Sequence, residues 1–166
     1  GNIDISKLPV GDPTLSLKEI IGNESQERMG LVMQEKDIAE LKAIAERERA
    51  SQAKLERVLD YTKQTMVAYM SETELDRLCG YITEYSLGDT PREVSPVSVD
   101  SALKSIDLMH FGWNIGKAFG KKRIHTATFI KNVFAHSLRD IEVSTIERKM
   151  SHTESECRIK LDGVIV

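Results

Sequence analysis

Four histidines, at 110, 125, 136 and 152, and two cysteines, at 79 and 157, carry the side chains in this sequence best suited to metal binding or nucleophilic attack. Their spacing argues against both. No two histidines stand four residues apart, and none belongs to an H-E-x-x-H run, the arrangements that put two ligands on one face of a helix. Cys79 and Cys157 form no C-x-x-C pair, so neither a disulfide framework nor a cysteine-rich zinc site is expected, and both read as small reduced residues. His110, between Met109 and Phe111, reads as a hydrogen-bonded residue of the core or its boundary. The sequence contains no G-x-G-x-x-G, no G-x-x-x-x-G-K-[ST] and no G-x-S-x-G, which removes the backbone cradles for phosphate and the strained turn that presents a nucleophilic serine. Carboxylates are numerous, but they fall mostly on the polar faces of helical stretches, where solvation accounts for them. No catalytic residue, metal ligand or cofactor is therefore expected.

Positive charge is the remaining candidate chemistry. Lys121, Lys122 and Arg123 form the densest basic cluster, Arg148 and Lys149 follow in a short helical stretch, and Arg158 and Lys160 lie near the end. Residues 101–166 hold 11 Lys+Arg against 7 Asp+Glu, a net +4, whereas residues 1–100 carry a net −7. Duplex DNA is accordingly a candidate partner for the back half alone. In that reading the helix with Arg148 and Lys149 faces a major groove, while Lys121, Lys122, Arg123, Arg158 and Lys160 meet phosphates. Two features favour a plain solvated face instead. Glu147 lies on the same helix, where it repels phosphate, and the connection from His136 to Val143 is longer than a helix-turn-helix turn.

The elements that must position these residues are mainly helical. Leu103–Phe119 is apolar on more than one face: Leu103, Ile106, Met109 and Trp113 form one stripe, and Leu108, Phe111, Ile115 and Phe119 widen it. Such a helix, starting near Ser101, demands neighbours on several sides, with Trp113 as its expected central anchor. Gly112 and Gly116, one turn apart, permit close backbone approach, and Gly120 stands where a C-cap glycine belongs. From Glu35 a second long helix is expected, with Ile38, Leu41, Ala45, Leu55, Leu59, Thr62, Met66 and Tyr69 at three-and-four spacing and no Pro or Gly from 34 to 70. Its middle, Glu46 to Lys54, is almost wholly polar. The expected form is a solvated stretch between two packed ends, and the alternative is a coiled coil that pairs two copies through residues 35–70. Ser71 with Glu74 has capping-box spacing and starts a helix marked by Leu75, Leu78, Ile82 and Tyr85. Ser16 with Glu19 repeats that spacing before a short helix over Leu17–Asn23, and Ser144 with Glu147 before one over Thr145–Met150. Thr126 is placed as the cap of a helix running through Ala135. Thr90–Val99 reads as an ordered loop or linker.

The last segment alternates, Cys157-Arg158-Ile159-Lys160-Leu161. Asp162-Gly163 is a strong two-residue hairpin signal, and Val164-Ile165-Val166 supplies a return strand. Helix, helix, short helix and hairpin is the order of a winged helix-turn-helix. The fold class expected is thus mainly α: a helical domain with one long N-terminal helix and a small C-terminal β-hairpin, winged-helix-like in outline.

The first fifty residues carry Pro9-Val10-Gly11-Asp12-Pro13-Thr14-Leu15-Ser16, Glu19-Ile20-Ile21-Gly22-Asn23-Glu24-Ser25-Gln26-Glu27-Arg28-Met29-Gly30-Leu31-Val32 and Ile44-Ala45-Glu46-Arg47-Glu48-Arg49-Ala50. This stretch resembles a segment of phosphoribosylformylglycinamidine synthase, the purine-pathway amidotransferase, with the run Asn23, Glu24, Ser25, Gln26, Glu27, Arg28 as its most specific part. The resemblance implies ATP-dependent amidation of a formylglycinamide ribonucleotide with ammonia drawn from glutamine, and would place any residual chemistry on Glu24 and Glu27. It stops at Ala50. The nucleotide-binding subdomains and the glutaminase with its nucleophilic cysteine are missing, and a synthetase needs ATP, substrate and ammonia held together. The pattern around Phe111-Gly112-Trp113-Asn114-Ile115, Phe129-Ile130-Lys131 and Leu138-Arg139-Asp140-Ile141-Glu142 is similar to a group of short uncharacterised bacterial proteins, which implies a genuine domain and no particular activity.

With 40% apolar and 30% charged residues the chain falls among globular proteins. No apolar run approaches the roughly 18 residues of a membrane-spanning helix, and the first thirty residues lack a secretory pattern, so a cytoplasmic location is expected. The expected organisation is a purine-synthase-like segment over residues 1–50 and a compact helical domain over 51–166, with the autonomous fold beginning near Leu55. The function expected is that of a non-catalytic helical interaction or regulatory module. The alternatives are DNA binding by the C-terminal region and residual nucleotide binding by an incomplete purine synthase.

Overall fold

Helical periodicity governs the architecture. The computed structural model describes residues 34–88, 94–153, 156–161 and 165. The chain divides into two units, Gly1–Lys42 and Ala43–Val166. The described part of the first is Gln34–Lys42: a single 3-10 turn, Glu35–Asp37, and the start of helix α1, Ile38–Met66. The expected short helix over Leu17–Asn23 and the run Asn23–Arg28 lie outside the described residues.

In the second unit α1 continues without a break, as the absence of Pro and Gly requires. Its face is buried only over its final turns, at Val58, Thr62 and Met66, with Leu55, Leu59 and Tyr61 half-buried against the core. Thr62 satisfies its hydroxyl within the helix by donating to the Val58 carbonyl at 2.8 Å. Helix α2, Glu72–Ser86, starts where the capping spacing places it: Ser71 is extended and its Oγ accepts from the Glu74 amide at 3.4 Å. Leu75, Leu78, Ile82 and Tyr85 form its buried stripe. The described part of the following loop is tied down by its backbone, with Val97 N donating to Val133 O at 2.8 Å and Asp100 N to Tyr69 O at 2.7 Å.

Helix α3, Ser105–Phe119, is the centre of the core, burying Leu108, Met109, Phe111 and Ile115 together with Asp107, His110 and Asn114. It ends on Gly120 in the left-handed region, φ 68°, where a side chain would be strained. Helix α4, Arg123–Val133, crosses it at the two glycines. A Cβ on Gly112 would overlap Ile130, and one on Gly116 would overlap Thr126. A turn-rich connection with Leu138 buried leads to α5, Val143–Lys149. Lys131 closes that connection by donating to the Leu138 and Arg139 carbonyls at 2.7 and 2.9 Å. Aromatic contacts bind the layers: Tyr85 stacks on Phe129 with ring centroids 4.3 Å apart, and Phe111 meets Tyr61 at 5.9 Å and Phe134 edge-on at 6.1 Å.

Several expectations are corrected. The C-terminal β-hairpin is not formed, since no β-strand occurs among the described residues. Cys157–Leu161 is irregular, and main-chain groups of Arg158, Ile159 and Lys160 are met by side chains of α3. Asp107 Oδ1 accepts from the Arg158 and Ile159 amides at 2.6 and 3.1 Å, while the Ile159 and Lys160 carbonyls accept from His110 and Asn114. The Asp162-Gly163 turn lies outside the described residues. Without this hairpin the winged-helix outline has no wing. Thr126 is not a cap: α4 begins three residues earlier, and Thr126 is buried one turn inside it, hydrogen-bonded to Tyr85 Oη at 2.8 Å. Glu142, not Ser144, occupies the N-cap of α5, with no side-chain cap bond. Trp113 is half-buried rather than central, with the Arg123 guanidinium over its ring at 4.8 Å. The two phenylalanine–tyrosine stacks occupy the position expected of it.

Candidate functional site

Three groups of residues carry candidate chemistry, two of them accessible. The first is the early part of α1, where every residue from Gln34 to Lys54 is exposed. Ile38, Leu41 and Ile44 remain 39%, 36% and 44% accessible on a helix whose later turns bury the same kind of residue. Three- and six-residue spacing sets them along one side of the helix. Helices of this kind draw most of their stability from packing, so an exposed apolar stripe is the distinctive feature of this stretch.

The second is the basic region. Arg123 Nη2 donates to the Glu147 carbonyl at 2.5 Å and Nη1 to Ser151 Oγ at 3.1 Å, joining the start of α4 to the end of α5. That contact brings exposed Lys122, Arg148 and Lys149 into one corner, with Arg123 itself half-buried and occupied. Lys121 is half-buried too, lying over the Tyr85 ring at 5.3 Å with Nζ 3.4 Å from the Ser86 carbonyl. Arg158 and Lys160 are exposed, and the Arg158 amide is bound by Asp107 near the start of α3.

The third is polar and buried. Asp107, His110 and Asn114 lie three and four residues apart on one face of α3, and all three bind main chain. Asp107 Oδ2 also accepts from the Lys104 amide at 2.8 Å, returning to the helix start as a capping carboxylate does. His110 Nδ1 and Nε2 stand 2.7 Å from the Ile159 and His152 carbonyl oxygens. Asn114 Nδ2 donates to Tyr61 Oη and to the Lys160 carbonyl, each at 2.8 Å. Sequence reasoning placed His110 at the core or its boundary but passed over Asp107 and Asn114. The available signal was that each polar residue interrupts an otherwise apolar helix on the same face.

A shallow groove of about 440 Å³ between the α1–α2 turn and Ser98–Asp100 is lined by Tyr69, Met70, Glu74 and Val99 among others. Its polar groups are bound within the protein. Glu74 Oε2 accepts from Ser98 N at 2.9 Å and Oε1 pairs with Arg77, so the Ser98 amide first and Arg77 second hold its carboxyl below the usual range. Burial pushes the Tyr85 hydroxyl up, and likewise the half-buried Cys79 thiol. No cluster of three His, Cys, Asp or Glu able to hold a metal occurs among the described residues, and none of their helices is long and apolar enough to cross a membrane. No family model matches the chain, and neither a curated protein nor a solved structure matches it, so the resemblances stated above rest on the residues quoted for them.

Proposed function

We infer that the chain is a non-catalytic helical interaction module that associates through the first half of α1, with a second copy of itself as the occupant. The observation that carries this reading is the exposed stripe of Ile38, Leu41 and Ile44 on a helix continuous with the core. The stripe continues the seam that Leu55, Leu59 and Met66 use inside the domain, so a like helix supplies matching apolar positions. Glu48 and Gln52 fall on the same seam and weaken it, which makes the association concentration-dependent rather than obligate. Circular dichroism over a dilution series tests this. Helical signal is expected to fall on dilution as the uncovered turns fray, and to be low and constant in Leu41→Asp. A concentration-independent signal, equal in the two proteins, refutes the reading.

A second reading has its own supporting observation, the bond from Arg123 to Glu147 O that gathers Lys122, Arg148 and Lys149. Duplex DNA would meet this corner through phosphates only. Three neutralised phosphates give a slope of about −2.7 for log affinity against log salt. Loss of about two thirds of that slope in an Arg148→Ala, Lys149→Ala double variant supports it, and absence of binding at low salt excludes it.

A further inference from the structure

The groove between the α1–α2 turn and Ser98–Asp100 has walls that are tied together by hydrogen bonds. Asp100 N donates to Tyr69 O at 2.7 Å and Ser98 N to Glu74 Oε2 at 2.9 Å, while Val97 N anchors the same stretch to Val133 O at 2.8 Å. About 440 Å³ of space is thus held open by the fold itself, near the lower end of the volumes that take small ligands. Its lining is of two kinds. Met70 and Val99 are half-buried apolar side chains, Ala68 is exposed, and Val67 beside it in sequence is 61% accessible. The carboxylates of Glu74 and Asp100 also line the groove, and no lysine, arginine or histidine does. We propose that this groove docks a lysine or arginine side chain presented by a partner chain, with the aliphatic stem along Met70 and Val99 and the cationic head against Asp100.

Both parts of such a side chain have a counterpart in the lining. Lysine and arginine join a long apolar stem to a charged end, and so fit a site that is apolar along its length and anionic at its edge. Asp100 is exposed, and its Oδ1 accepts from the Ala102 amide at 2.7 Å. An ionised carboxylate offers about four acceptor positions, so that bond fixes Asp100 in place without saturating it. Glu74 has a different part. Arg77 already pairs with it, and the Ser98 amide holds its carboxyl below the usual range, so it secures the wall in charged form and leaves Asp100 as the open partner. Ser98 makes no hydrogen bond through its carbonyl or its hydroxyl among the described residues, which leaves two further acceptors for an ammonium or guanidinium. The same carboxylates repel a phosphate-bearing partner. The volume suits one side chain with its flanking residues rather than a folded face, which makes the contact weak and reversible.

Three blocked tripeptides test the groove by proton–nitrogen NMR of the full chain: acetyl-Leu-Lys-Leu-amide and its counterparts with norleucine or glutamate at the centre. The lysine peptide is expected to shift the Met70, Val99 and Asp100 amides in a saturable way. Norleucine retains the stem without the ammonium and is expected to bind about threefold to fivefold more weakly, the weight of a partly exposed ion pair. The glutamate peptide is expected to leave these amides unmoved. Asp100→Asn keeps an oxygen for the Ala102 amide and removes the charge, so the lysine and norleucine peptides are expected to bind this variant alike. Equal affinity of the wild-type chain for the lysine and glutamate peptides overturns the proposal. So does the absence of any shift at about 5 mM lysine peptide, enough to fill most of a site with a Kd of about 1 mM. Groove amides that move on dilution of the chain without peptide assign the groove to a second copy and overturn it too. All three peptide arms use the wild-type chain, so the test stands even if Asp100→Asn does not fold.

Discussion

Asp107 shows how much one side chain can determine. Its carboxylate is fully buried, yet accepts from three main-chain amides, those of Lys104, Arg158 and Ile159, and so joins the start of α3 to the C-terminal segment. Asp107→Asn keeps the shape but turns an NH2 group toward an amide, and is expected to lower unfolding free energy by about 2–3 kcal/mol; urea unfolding measures it, and a loss below about 0.5 kcal/mol would show the amides well served without the charge. Gly112 makes the opposite case, where any added atom is too much. Gly112→Ala collides with Ile130 and is expected to cost about 1–3 kcal/mol by overpacking. A neutral result in the same unfolding assay would mean that α3 and α4 separate freely. The glycines were legible because small residues one turn apart on an apolar helix have few other purposes. Asp107 and Asn114 were not, because the composition of a helix does not reveal that a distant segment will bring unpaired amides and carbonyls to its polar notches.

At the scale of elements, α1, α2 and α3 follow from apolar spacing, and the capping spacing of Ser71 with Glu74 marks the start of α2 within a residue. The C-terminal segment shows the limit of such patterns. Alternation correctly puts Cys157 and Ile159 inward and Arg158 and Lys160 outward. It describes extended chain, however, and says nothing of whether the chain's amides find a strand or a helix's side chains. Helix starts fail similarly: Thr126 has a capping hydroxyl, but Tyr85 claims it inside the core. Glu74 offers a test of local wiring. Its folded carboxyl is held below the ordinary value, chiefly by the Ser98 amide, so the stabilisation is complete above the unfolded carboxylate's titration and is lost as pH falls through the folded one. Because the group is partly exposed, the effect is discounted for screening. Glu74→Gln is expected to lower Tm by about 1–3 °C at neutral pH and to show less loss of Tm on acidification than wild type. Equal acid sensitivity in both proteins, by thermal melts across the acid range, would assign the wiring elsewhere.

For the whole molecule, the core formed by α2, α3, α4 and α5 accounts for the buried last turns of α1, while Ala43–Lys54 is exposed. Periodicity showed the length of this helix and its polar middle, while the expected packing of both ends is met only downstream, where Val58, Thr62 and Met66 are buried. Association through the uncovered turns is the account's central claim. Sedimentation equilibrium of the wild-type chain beside an Ile38→Asp, Leu41→Asp double variant tests it most directly. The account predicts a wild-type mass rising with concentration from one chain toward two, and a variant that stays at one chain with an unchanged Tm. A wild-type chain that remains single at every concentration, or a double variant that associates as well as wild type, would contradict it.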